Sequence, residues 1–178
     1  MKLKTKDITT SAIFAAIISF FSIITLPIGV VPVTLGIFGV LLSAVTLKHR
    51  GSVFAVLVFI LMGAFGIPVF SGFQGGIQVL TGPTGGYITS YIFMAFITGK
   101  ICEKVGTYSK KSFLIKLFAC FFSLFVCYLF GTLQFVFVTK TSISQAIFLC
   151  VVPFIAFDIV KCVLAAILGE TLRKSLRL

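Results

Sequence analysis

The sequence predicts an all-α integral membrane protein of six transmembrane helices with both termini in the cytoplasm. Three observations predict it. Hydrophobic residues make up 59% of the 178 residues and charged residues only 11%, against roughly 25% charged in soluble domains. The apolar residues fall in runs long enough to cross a bilayer, whose hydrocarbon core asks for about 20 helical residues. The basic residues fall in short groups between those runs, which is the pattern of membrane topology.

Residues 8–47 carry no charge. That is room for two spans, and Pro27, Gly29 and Pro32 divide it. The first span is assigned to 9–26. Lys2, Lys4 and Lys6 ahead of it resemble a signal peptide, but no small-residue cleavage site follows, so the span is expected to be retained. The second covers 33–47 and ends at Lys48-His49-Arg50-Gly51. A third covers 52–67 and stops at Pro68. The fourth begins at Pro83, a residue suited to a first helical turn, and covers 83–99. Residues 100–116 read as a basic, polar loop. The fifth span covers 117–138, Thr139-Lys140-Thr141-Ser142 reads as a turn, and the sixth covers 144–169. The chain reads as one transmembrane domain without a large soluble part.

Charge sets the orientation. Thirteen of the fifteen basic residues lie in the N-terminus, residues 48–51, residues 100–116 and the tail. Lys140 alone lies on the opposite side, and Lys161 is inside a span. The positive-inside bias then makes both termini cytoplasmic and the protein a multi-pass protein of the cytoplasmic membrane. The formal net charge of +11 is accounted for by this distribution, and nucleic acid is not an expected partner.

Other chemistry has little support. The five cysteines include no Cys-x-x-Cys, and the single His49 sits in a basic loop, so no metal and no cofactor are expected. There is no P-loop, no nucleotide-binding fingerprint and no nucleophile–base arrangement. The chain reads as a binder rather than an enzyme, and any coupling to ATP would need partners.

Two charges, Asp158 and Lys161, lie within the sixth span. Each opposes insertion by about 2.5–3.5 kcal/mol at a helix centre. At i and i+3 they share a face, together with Val151, Phe154, Cys162, Ala165 and Gly169. That face is expected to look into the bundle. Asp158 lies twelve residues before Glu170, about 18 Å along a helix, so it sits at the middle or in the outer half of the membrane. A carboxylate accepts N–H groups and an ammonium donates to oxygen. A urea, an amide or an amino-acid zwitterion would each suit the pair.

Residues 72–86 hold six of the sixteen glycines, and no charge occurs from 51 to 99. The stretch is expected to face outward and to face a ligand. Glycines such as Gly85 and Gly86 let backbone N–H groups approach closely, and the start of the fourth helix favours an anion. Gln74, Gln78, Thr81, Thr84 and Tyr87 add neutral hydrogen-bonding groups. On the first span, Ala12, Ala16 and Ser19 share a face with Ala15 beside it. Small residues four apart let helices approach, within the bundle or across to a partner.

Four segments carry a resemblance: Val31-Pro32-Val33-Thr34-Leu35, residues 63–70, Gly82-Pro83-Thr84-Gly85-Gly86-Tyr87, and Asp158-x-x-Lys161. In order and spacing the chain resembles the biotin-binding S component (BioY) of energy-coupling factor (ECF) transporters. The resemblance implies an S-component fold, capture of biotin outside and its release inside. It implies as partners a membrane-embedded coupling subunit and two ABC-type ATPases, with Ala12 and Ala16 as the docking face. It implies biotin's ring against Asp158 and Lys161, and its carboxylate chain toward Thr84, Gly85, Gly86 and Tyr87, with Gln74, Gln78 and Thr34 nearby. Two positions depart from the family's pattern: Gly36 stands where Gln is frequent, and Ala156-Phe157 where Pro-Gly is. The residues alone leave open an S component for another small vitamin, or a non-transporting membrane assembly subunit.

Overall fold

A computed structural model describes residues 5–26, 31–105 and 110–176. Among them are eight helices and one short ribbon: α1 (Thr5–Ile23), β1 (Thr25–Leu26), β2 (Val33–Thr34), α2 (Gly36–Thr46), α3 (His49–Ala64), α4 (Ile77–Thr81), α5 (Gly85–Lys104), α6 (Lys110–Thr139), α7 (Ile143–Cys150) and α8 (Val152–Ser175). The expected break at Pro27 and Gly29, the bases Lys2 and Lys4, and Arg177 lie outside the described residues.

The bundle is arranged around α2. All eleven of its residues are buried, and it packs against α1, α3, α5 and α8. At 1.5 Å per residue it is about 16 Å long, roughly half the hydrocarbon thickness of a bilayer. The second span therefore differs from the expected helix over 33–47. Val33 and Thr34 are β-branched and favour extended backbone. They pair antiparallel with Leu26 and Thr25, and the helix begins only at Gly36, whose N–H donates to Thr34 Oγ1 (2.8 Å).

Three other boundaries shift for physical reasons. The basic stretch 100–116 is mostly helix: α5 runs on to Lys104 and α6 starts at Lys110. Lys100 lies over the Phe96 ring, and Lys116 is fully buried within 3.3 Å of Glu170, so helical partners hold these charges. Pro83 lies before the first turn of α5, because Thr84 is the N-cap. The sixth stretch is two helices. α7 ends at Cys150, Val151 adopts φ −125° and ψ −56°, and Pro153 sits in the first turn of α8. A proline there lacks the N–H and clashes with the preceding turn, so one helix cannot continue through it. Past Pro153, α8 is unbroken through Ala156 and Phe157.

One end of the bundle gathers the start of α1 and the end of α8. Lys6 Nζ donates to the Leu176 carbonyl (3.1 Å), Arg173 donates to the Cys102 carbonyl (2.8 Å), and His49 Nδ1 donates to Glu103 Oε2 (2.5 Å). The outer surface is apolar: Phe118, Phe125 and Phe137 of α6 stand exposed, as do Phe20 of α1 and Val160 of α8. Such a surface is stable against lipid rather than water. By length and composition, α1, α6 and α8 can each cross a membrane.

Candidate ligand-binding site

The site is built upward from α8. Most of its outward side chains are apolar, while its inner face carries Phe154, Asp158, Lys161, Cys162, Ala165 and Gly169, all buried. Gly169 lets the helix lie on α2, since a Cβ there would sit 2.7 Å from Val45. This contact turns Asp158 and Lys161, 1% and 5% exposed, toward the interior.

The two charges sit in a chain of hydrogen bonds. Lys161 Nζ donates to Asp158 Oδ1 (2.7 Å) and to the Thr34 carbonyl (2.7 Å). Tyr128 Oη, from α6, donates to Asp158 Oδ2 (2.5 Å). A buried pair persists only when its remaining valences are met, and here one acceptor site on each carboxylate oxygen and two ammonium donors are met. Each oxygen keeps a second lone pair and the ammonium a third donor.

Above this floor lies a cavity of about 450 Å³, within the range of small-molecule sites. Among the described residues, Asp158 and Lys161 are the only charged ones on its wall, so the floor is dipolar rather than net charged. The rest of the wall is apolar with scattered neutral polar groups. A Cβ on Gly36 would meet the hydroxyls of Thr34, Ser22 and Tyr91 at 3.1–3.3 Å, and all three of these residues line the cavity. The side-chain space at position 36 is thus bordered by three hydroxyls.

The candidates from the sequence divide into two groups. Asp158, Lys161, Thr34, Gln74, Thr84 and Tyr87 all line the cavity. Tyr87 is fixed by its hydroxyl, which lies 3.2 Å from Thr132 Oγ1 and 3.4 Å from the Cys150 carbonyl. Gln78, Gly85 and Gly86 do not line it. Gln78 faces a shallow outer groove and donates to the Gly75 carbonyl (2.8 Å). A Cβ on Gly86 would lie 2.6 Å from the Phe130 carbonyl of α6, and one on Gly85 would overlap the Leu80 carbonyl. These two glycines let α5 close against α4 and α6 and so stand behind the wall. Gln134 fastens the same corner by donating to the carbonyls of Leu80 and Gly82 (2.9 and 2.8 Å).

Four further features were not read from the sequence. Tyr128 holds Asp158 from behind. Ser71 Oγ is buried, makes no hydrogen bond among the described residues, and belongs to a residue on the cavity wall. Cys150 lines the cavity as a free thiol. Lys116, fully buried, and Glu170, partly buried, form a second ion pair away from the cavity. On α1, Ala12 and Ala16 are exposed, whereas Ala15 and Ser19 turn inward, so the small-residue face is divided between surface and core.

Three comparisons bear on this arrangement. The model of the BioY family matches residues 1–178. The biotin transporter BioY of Thermotoga maritima is 39% identical over 95% of this chain and 96% of its own length. The biotin transporter BioY2 of Lactococcus lactis subsp. cremoris is 36% identical over 97% and 93%. A crystal structure at 2.1 Å of the S-component for biotin from an ECF-type ABC transporter superposes with a TM-score of 0.89 at 25% identity, covering 97% of this chain and 95% of that one.

Proposed function

The chain belongs to the BioY family, and from that premise we propose that it captures biotin and takes it across the cell membrane as the substrate-specific subunit of an ECF-type transporter. It has the S-component fold and is a multi-pass membrane protein of a transporter family rather than an enzyme. The observation that carries the ligand reading is the buried Asp158–Lys161 pair at the floor of the cavity. A cyclic urea offers two N–H donors and one carbonyl acceptor. The carboxylate accepts the former and the ammonium donates to the latter. The aliphatic acid chain then runs along the apolar wall toward Thr84 and Tyr87, with Gln74 and Thr34 beside it.

Topology completes the reading. The end that gathers both termini and most bases faces the cytoplasm, so the cavity opens outward. The partners are a membrane-embedded coupling subunit and two ABC-type ATPases, and the exposed Ala12 and Ala16 of α1 form the docking face. Equilibrium titration of purified protein with biotin tests the ligand. Asp158→Asn should weaken binding by about 2–5 kcal/mol, the usual loss when one member of a buried, hydrogen-bonded charge pair is removed; unchanged affinity overturns the assignment. Ala16→Arg should leave biotin binding intact and abolish co-purification with the ATPase-bearing module, and retained assembly would move the docking face elsewhere.

A further inference from the structure

We propose that Tyr128 is a positioning residue that sets the ligand selectivity of the site through Asp158. The proposal rests on the reading of the site as one for a cyclic urea. Tyr128 does not line the cavity, so it acts on a ligand only through what it holds. It is half-buried on α6, between Phe125 and Leu129, which are exposed on the outer surface. Its hydroxyl reaches inward to Asp158 Oδ2 at 2.5 Å, while Lys161 takes Oδ1 at 2.7 Å.

A carboxylate turns easily about its terminal torsion, which has broad wells. Donors on both oxygens at once remove that freedom. They also occupy one lone pair on each oxygen, leaving one on each for a ligand. A neutral urea, with two N–H groups held side by side, meets a carboxylate whose direction is already set, and preorganisation of this kind raises affinity. The same two donors disperse the negative charge. A cationic ligand of the same shape therefore finds a weakened counter-charge, with the Lys161 ammonium beside it. Removing the Tyr128 hydroxyl frees the carboxylate to swivel and returns charge to Oδ2. A neutral urea then loses a fixed partner, whereas a cation gains attraction that offsets the same loss.

The test uses full-length Tyr128→Phe protein in detergent and three ligands. Biotin and desthiobiotin both keep the neutral urea, while 2-iminobiotin replaces it with a guanidinium that is cationic at neutral pH. Tyr128→Phe should weaken biotin and desthiobiotin by a common factor of about 10–100, the scale of a charge-assisted hydrogen bond. It should change 2-iminobiotin by less than about 3-fold, so that discrimination between urea and guanidinium falls. Equal weakening of all three ligands would make Tyr128 a mere brace between α6 and α8, and no weakening of any would remove it from the site; either result overturns the proposal. If Tyr128→Phe does not fold, Tyr128→Met, which also lacks the hydroxyl, takes its place. It should lower the discrimination between urea and guanidinium in the same way, and equal weakening of all three ligands again overturns the proposal. Wild-type protein that binds none of the three would overturn the urea reading itself, whereas wild-type binding of biotin with unchanged discrimination in the variant overturns the positioning role alone.

Discussion

Two ion pairs lie along α8 about three turns apart, one wholly buried and one with a partly open carboxylate, and they face different surroundings. In the upper pair, Asp158 and Lys161 sit one turn apart on the same helix, 2.7 Å from each other, at the floor of the cavity. In the lower pair, Glu170 of α8 meets Lys116 of α6 at 3.3 Å, and neither residue touches that cavity. Lys116 is more deeply buried than either member of the upper pair, with its side chain fully enclosed. Burial of the ammonium therefore does not distinguish the two pairs. What separates them is the direction of the unspent hydrogen-bonding capacity. The upper pair keeps lone pairs and a donor on the side of an open space; the lower pair ties two helices together at the end where the termini meet.

The largest expected effect breaks the comparison by unpairing the lower site. Glu170→Gln leaves the Lys116 ammonium in the interior without its carboxylate, a change that costs about 3–5 kcal/mol in buried pairs. The melting temperature should fall by roughly 10 °C while biotin affinity stays within about 3-fold of wild type. Asp158→Asn also leaves a buried ammonium without its carboxylate and should lower the melting temperature too, but unlike Glu170→Gln it should lose biotin affinity. A Glu170→Gln protein that melts normally and binds poorly would mean that the lower pair belongs to the site.

A smaller effect sharpens the contrast. Replacing both lower residues together, Lys116→Met with Glu170→Met, removes the charges and keeps the volume. Such double replacements are often neutral or stabilising by about 1–4 kcal/mol. The double variant should melt no lower than wild type and bind biotin normally. The matching double replacement at Asp158 and Lys161 should also fold, but without measurable binding. If the lower double variant were as unstable as Glu170→Gln alone, the pair would be contributing more than mutual neutralisation.

How much of this was legible in the sequence follows from the same contrast. Asp158 and Lys161 stood out because nothing else in a long apolar run is charged, and their spacing put them on one face. Lys116 did not, because four other bases precede it in 100–116 and the stretch reads as solvated. Only the turn of α6 onto α8 brings it to Glu170. Tyr128 lay hidden among the phenylalanines of α6. Its signal was a hydroxyl in an apolar helix, which has to find a partner when buried, but the sequence does not name that partner. Gly85 and Gly86 had the right kind of role on the wrong surface. Both permit close approach, and what approaches is the backbone of α4 and α6. The all-α membrane class was legible from composition, whereas the brevity of α2 was not: the pattern of the run does not announce that Val33 and Thr34 at its start will pair as a ribbon edge.

A third pair gives the smallest effect and the clearest limit of the comparison. His49 Nδ1 donates to Glu103 Oε2 at 2.5 Å, with both side chains partly open to solvent. The Glu103 carboxyl is held below its ordinary value, first by the hydrogen bond from His49, against an opposing effect of partial burial, with further help from the charges of His49 and Lys48. A carboxyl whose folded value is depressed stabilises the protein above its unfolded value, about 4.3 for Glu, and loses that contribution as pH falls through the folded value. Exposed pairs contribute about 0–1 kcal/mol. Glu103→Gln should therefore lower the melting temperature at pH 7 by no more than about 2–4 °C. The gap between variant and wild type should begin to shrink as pH falls below about 4.3, close below the folded value of Glu103, and shrink in 1 M salt, where charges are screened within about 3 Å. The Glu170→Gln deficit should not shrink in salt, because the Lys116 side chain is sealed from solvent. A Glu103→Gln gap that ignores both pH and salt would place that residue with the buried pairs, as a packing contact rather than a charge at the surface.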